Sequence, residues 1–255
     1  MNLVNLYKRF KPSYYQAFKV LTIHVGMLSS TLYAMWYYKD SYISLITIPF
    51  LGLLNLKSSL IFHDCGHDNC TPSKQLNYII GSIMGIILLV PFAWTYDHHI
   101  HHLTSGNNEN NFPISEPHKQ NETIYHTFND YKNMNKYKKK WTVFWREYMF
   151  YTLIPLFAFS LWGRFDIIYQ KIVNNKYKES IQLLVVDNII NSLCIPILYY
   201  FNPILYHYLL SICITMPLIL SLNHNEHTFN PPYVSKDKEW TKQDSGLKGS
   251  SFIQV

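Results

Sequence analysis

Apolar blocks of membrane-helix length alternate along this chain with strongly polar stretches. Residues 17–38, AFKVLTIHVGMLSSTLYAMWYY, are almost uncharged, and a helix of that length can cross a hydrocarbon core ~30 Å thick. Residues 41–62, SYISLITIPFLGLLNLKSSLIF, form a second such block, separated from the first by only Lys39 and Asp40. Lys57 lies near its end, where a long side chain can snorkel to water. The two blocks predict a transmembrane helical hairpin. Residues 181–201 and 203–222 predict a second one, broken at FNP, with Asp187 near its entrance.

Two further apolar stretches predict something else. Residues 76–94, LNYIIGSIMGIILLVPFAW, are of borderline length and carry two glycines and a proline. They predict a segment that returns to the face from which it left. Residues 147–162, EYMFYTLIPLFAFSLW, are too short for a comfortable crossing and suit an interfacial or re-entrant helix. The polar segment 95–146 and the tail from 223 onwards remain outside the apolar phase. The expected fold is therefore an all-α integral membrane protein, a single domain over residues 1–255. It has two transmembrane helical hairpins, interfacial or re-entrant helices and a cytoplasmic histidine-rich cap.

Composition sharpens this reading. Charged residues make up 15% of the chain, against about a quarter in soluble domains. Aromatic residues reach 16%, with 21 tyrosines and 6 tryptophans. Those at block edges, such as Trp36, Tyr37 and Tyr38, suit an interfacial belt. If both hairpins dip from one face, Lys39 is the basic residue left on the far side. Lys8, Arg9, Lys11, the cluster within 132–146, Arg164, Lys171, Lys176, Lys178 and the tail lysines stay on the near side. The positive-inside rule places that near side in the cytoplasm.

The topology decides where the histidines lie. His63 and His67 follow the second block, His98 to His102 follow the returning segment, and His224 and His227 follow the last block. All three clusters are expected at one cytoplasmic membrane boundary, provided that residues 76–94 do not cross. On a helix, positions i, i+3 and i+4 share a face. His63 with His67, His98 with His101 and His102, and Asn223 with His227 have that spacing. His99 projects about 100° from His98 and suits a supporting or solvated position. Imidazole suits zinc, copper, nickel and iron, and three converging clusters favour two metal ions over one. Asp64, Asp97 and Glu226 each neighbour a candidate ligand. Such carboxylates either orient ring N–H groups or are simply solvated.

The remaining polar features read as structural. Cys65, Cys70, Cys194 and Cys213 show no disulfide framework, and a lone C-x4-C lacks the paired spacing of structural zinc sites. Free thiols are expected. His24, inside the first block, is read as a helix-contact residue rather than a functional one. His207 is expected at an interface, and His118 and His126 in solvent. NET at 121–123 fits a glycosylation sequon on the wrong side for use. Lysines 138–140 are read as a solvated loop, with acidic headgroups as the alternative.

The pattern HDCGH (63–67), then WTYDHHIHHLTSGN (94–107), then NEHTF (225–229) and LKGSSF (247–252) resembles the membrane fatty acid desaturases, especially the acyl-lipid type. His63 and His67 match that family's first box. His98, His101 and His102 match the second, and His227 matches an isolated histidine after the last span. The resemblance implies a di-iron centre held by His63, His67, His98, His101, His102 and His227. It also implies O2-dependent removal of two hydrogens from a lipid acyl chain. Metal chemistry fits such a reaction, since no side chain can abstract hydrogen from an unactivated methylene. No haem or flavin motif is found. The implied electron donor is therefore external, a b-type cytochrome or a ferredoxin, and no nucleic-acid partner is expected.

The family's third box follows its equivalent of LKGSSF, whereas residues 250–255 hold no histidine. The chain is therefore expected to be truncated before that box, with an incomplete iron shell. Activity would then depend on a separate chain carrying the box. The alternatives are a di-iron hydroxylase or ketolase, or an inactive remnant or subunit completed by another polypeptide.

Overall fold

The structure is a computed structural model that describes residues 11–95, 98, 128–147, 185, 188, 189, 200 and 202–226. Among them all regular structure is helical, with no strand. The helices are α1 (Tyr14–Tyr37), α2 (Ile43–Gly66), α3 (Lys74–Leu88), α4 (Phe128–Asn133), α5 (Lys136–Glu147) and α6 (Asn202–Glu226). Residues 147–162, apart from Glu147, lie outside the described residues. So does most of 181–201.

The first two apolar blocks become helices of 24 residues each, about 36 Å long at 1.5 Å per residue. Among the described residues two helices are long and apolar enough to cross a membrane, α2 and the Asn202–Ile219 part of α6. α1 has the length, but Lys19, Thr22, His24 and the Ser29–Ser30–Thr31 run make it less apolar. At 15 residues, or about 22 Å, α3 is shorter than a hydrocarbon core.

The described residues fall into two compact units. The first holds 11–95, 185, 188, 189, 200 and 202–216; the second holds 98, 128–147 and 217–226. In the first, Leu28 and Met35 of α1, Ile48, Leu51 and Leu54 of α2, and Ile204 of α6 form a buried apolar cluster. Its polar positions are arranged the opposite way from a water-soluble core. His24, Thr31, Ser44, Asn55, Ser58, Ser211 and Thr215 are buried, whereas Phe18, Ile23, Ile46, Phe50, Leu53 and Ile214 are exposed. In water that inversion would cost the hydrophobic term and leave large apolar patches. In lipid it costs little, and the buried polar groups serve to bond helix to helix.

They do so here. Asn55 Nδ2 donates to Ser211 Oγ at 3.1 Å. Thr215 Oγ1 lies 2.9 Å from the Gly52 carbonyl and 2.8 Å from that of Ser211. α6 packs directly on Gly52, where a Cβ would meet Ser211 O and Thr215 Oγ1 in ordinary van der Waals contact at 3.6 Å. Tyr208 OH donates to the Ile87 carbonyl. At the other end of α1, Tyr33 stacks on Tyr37 at 6.1 Å and Lys39 Nζ lies 5.8 Å over Trp36, the composition expected of an interfacial belt.

Within the second unit, Asn135 caps α5 by accepting from Lys138 N at 2.8 Å, satisfying one of the orphan donors of a helix start. Residues 136–147 are therefore helical where a solvated lysine loop was expected. The lysines share the helix with Trp141, which stacks on Phe144 at 5.9 Å, and Lys139 lies 5.7 Å over Tyr131.

Candidate metal centre

α2 does not stop before the first histidine cluster, as its apolar pattern suggests; it runs through it. HDC contains no helix breaker, so the hydrogen-bonded ladder continues to Gly66. His63 consequently sits in the last turn and His67 at the C-cap. The helix ends where Asp68 takes φ 57°. There Asn69 N donates to Asp64 O at 2.8 Å and Asp68 N to Cys65 O at 3.1 Å, the paired bonds of a Schellman cap. One turn of helix separates the two histidines, and their rings lie 4.5 Å apart, centroid to centroid.

Asp64, a possible orienting carboxylate, stands 3.9 Å from His63 Nδ1, beyond hydrogen-bond range. Cys65 is buried and Cys70 half-buried, and both are free, as is Cys213. A hydrogen bond from the Cys65 thiol holds the Cys70 thiol below its ordinary range, against the opposing effects of burial and of Asp64.

The connection to α3 is held by Asn77, whose Oδ1 accepts from Thr71 N at 2.7 Å and whose Nδ2 donates to Thr71 O at 3.0 Å. Ser73 caps α3 by accepting from Leu76 N. α3 ends at Leu89, which takes φ 60°, with Val90 N donating to Gly85 O at 2.8 Å. After this turn the chain doubles back along α3. Phe92 reaches the level of Gly81, where an added Cβ would lie 2.0 Å from its ring. It also meets Tyr78 and Phe62, each at a centroid distance of 5.6 Å. Gly85 permits the same approach higher up, since a Cβ there would be 2.5 Å from Val90 O.

The reversal delivers Thr95 against the end of α2. A Cβ on Gly66 would stand 2.7 Å from Thr95 Cγ2. The residue between the two first-cluster histidines' turn and its cap thus touches the stretch that leads into the second cluster. His98 follows three residues later, and three residues span at most about 10 Å, so the chain itself tethers it here. His98 is buried at 8% exposure. His63 and His67 each offer a ring nitrogen, one helical turn apart at the end of α2. Neutral imidazoles at that spacing form part of a donor set that fits a first-row transition metal.

His99, His101, His102 and His227 lie outside the described residues, as do Asp97, His118, His126 and Cys194. The backbone of α6 is helical through Asn223, His224 and Glu226. His24, read as a helix-contact residue, bonds to Ser58 at 2.9 Å. Reading the sequence did not reveal the contact between Gly66 and Thr95. The signal available was a glycine inside HDCGH at a place where the chain is still helical.

The profile of the fatty acid desaturase family matches residues 41–248. A fatty acid desaturase of Bacillus subtilis (strain 168) is 24% identical over 219 residues, covering 82% of this chain and 57% of the relative. An sn-1 acyl-lipid omega-3 desaturase (ferredoxin) of Synechocystis is 32% identical over 112 residues, covering 42% of this chain and 31% of the relative. A chloroplastic omega-3 fatty acid desaturase of Sesamum indicum is 26% identical over 204 residues, covering 72% of this chain and 41% of the relative. The chain thus spans less than two thirds of the length of each of these relatives. No solved structure matches it. The matched region contains α2, the reversal after α3, α6 and the histidines of residues 63–67 and 98–102, and the chain belongs to the fatty acid desaturase family.

Proposed function

We propose that this chain is the membrane-embedded part of an acyl-lipid desaturase, which uses O2 and a di-iron centre to place a double bond in a lipid acyl chain. The observation that carries the reading is the His63–His67 pair, its rings 4.5 Å apart, at the end of an apolar helix long enough to cross a bilayer, with His98 three residues beyond the Thr95–Gly66 contact. His101 and His102, on the same helical face as His98 by their spacing, and His227 complete the proposed ligand set. When bound, iron would supply the oxygen chemistry that removes hydrogen from an unactivated methylene, which no side chain can do.

The protein's own part is placement. α2 and α6 carry exposed apolar side chains, which suit contact with lipid and would let an acyl chain reach the site without leaving the hydrocarbon phase. The excess of basic residues in the polar segments supports a cytoplasmic side for the histidines and suits an acidic electron donor. A ferredoxin is the favoured class, since related desaturases carry that donor in their names, with a b-type cytochrome as the other candidate.

Expression in a host of defined lipid composition tests the proposal, with the coding sequence joined to a segment bearing an HHxHH box. A new unsaturated acyl species is expected, lost in His63→Ala and in His101→Ala. An oxygenated product in place of a double bond would assign the chain to hydroxylase chemistry. Unchanged product in either variant would remove that residue from the ligand set.

A further inference from the structure

Gly66 is the last residue of α2, where the backbone places no demand on it and alanine would be the better helix former. What excludes a side chain is Thr95. A Cβ on Gly66 would stand 2.7 Å from Thr95 Cγ2 and 2.8 Å from Thr95 Cβ. Neither atom is the far end of a flexible side chain, so rotation cannot relieve the contact.

Thr95 is itself held in place. Its Oγ1 donates to Phe92 O at 2.6 Å and its N–H to the same carbonyl at 3.0 Å. The Phe92 ring is wedged between Gly81, Tyr78 and Phe62. Any side chain at 66 must therefore push the end of α2 and the 92–95 turn apart. Carbon pairs settle near 3.5–4.0 Å, so the displacement is about 1 Å.

We propose that Gly66 and Thr95 are a positioning pair whose bare contact sets the spacing between the first and second histidine clusters. The inference rests on the metal centre proposed above. His63 and His67 flank Gly66 on α2, and His98 is three residues beyond Thr95. A shift of about 1 Å is large beside the ~0.2 Å tolerance of metal–ligand distances.

The test compares the full chain with Gly66→Ala, Thr95→Gly and Gly66→Ala/Thr95→Gly in lipid nanodiscs. Fe(II) bound per chain and its affinity are measured, with helical content and Tm as checks on folding. Gly66→Ala should lose at least tenfold in Fe(II) affinity at unchanged helical content. The double variant should recover to the level of Thr95→Gly alone, because removing Cβ and Cγ2 at 95 clears the space.

A second readout needs no metal. In a chain with its native cysteines changed to serine, His67→Cys and His98→Cys are joined by a short bis-methanethiosulfonate. Cross-linking should fall severalfold with Gly66→Ala and return with Thr95→Gly. Unchanged cross-linking in Gly66→Ala, or no recovery in the double variant, overturns the positioning role. If the unaltered chain binds no Fe(II), the metal centre fails, and the cross-linking yields still decide whether the pair sets the spacing.

Discussion

His24 Nε2 lies 2.9 Å from Ser58 Oγ, joining α1 to α2 through two buried polar side chains. The Ser58 hydroxyl also lies 3.2 Å from Leu54 O, so it has a partner on its own helix as well as the imidazole on α1. Interhelical hydrogen bonds between apolar helices average about 0.6 kcal/mol and reach about 1.7. Ser58→Ala should destabilise the protein by about 1 kcal/mol, because it also strands a buried ring nitrogen. A double-mutant cycle with His24→Phe, read by unfolding in detergent, should return a coupling of about 0.5–1.5 kcal/mol. Additive single effects would mean that the pair does not bind the helices together.

The reversal after α3 depends on Phe92 lying against Gly81. Gly81→Ala would place a methyl group 2.0 Å from the ring, and overpacking of this kind costs about 1–3 kcal/mol. The cost should shrink when Phe92→Leu is added. Thermal unfolding of the two single variants and the double variant measures this, and a double variant no more stable than Gly81→Ala would refute the contact.

Leu89 holds φ 60°, a conformation that costs an ordinary L-residue about 1–2 kcal/mol. Leu89→Gly should therefore raise stability by up to about 1 kcal/mol, after the loss of its half-buried side chain is subtracted. A fall in Tm would show that the leucine side chain outweighs the backbone strain.

The Cys70 thiol is held below its ordinary range chiefly by the Cys65 hydrogen bond. The thiolate is the reactive form, so its fraction at neutral pH is greater than that of a free cysteine. Cys65→Ala should move the midpoint of Cys70 alkylation by iodoacetamide to higher pH and slow the reaction at pH 7. Peptide mass analysis across pH separates Cys70 from the other thiols. A midpoint that stays put or moves down would contradict the assigned cause.

Much of the fold is legible along the chain because membrane partitioning depends on local composition. The 41–62 block reads as a helix since twenty-odd apolar residues can satisfy their backbone in lipid only that way. The histidine clusters are legible too, because i, i+4 spacing on a helix places His63 over His67 without any tertiary partner. The end of α2 was misjudged at Phe62, since hydropathy falls at HDCGH while the helical ladder does not break until Asp68.

Other features were hidden because they are made by residues far apart in sequence. The polar interior of α1, α2 and α6 looks in sequence like scattered hydroxyls and amides. Only packing turns Asn55 toward Ser211 and Thr215 toward Gly52. The reversal at Leu89 carries no glycine at the turn itself; the glycines that permit it lie on the helix behind, where Phe92 and Val90 return.

From its residues alone this chain specifies apolar helices separated by polar, lysine-rich stretches, and three sets of imidazoles with metal-binding spacing. The tertiary structure decided that the chain turns back along α3 after Leu89, and that Thr95 therefore meets Gly66. The physical reason is steric. Bare backbone at residues 66, 81 and 85 admits the returning strand of chain, and close contact between distant segments is a property that no stretch of sequence possesses by itself.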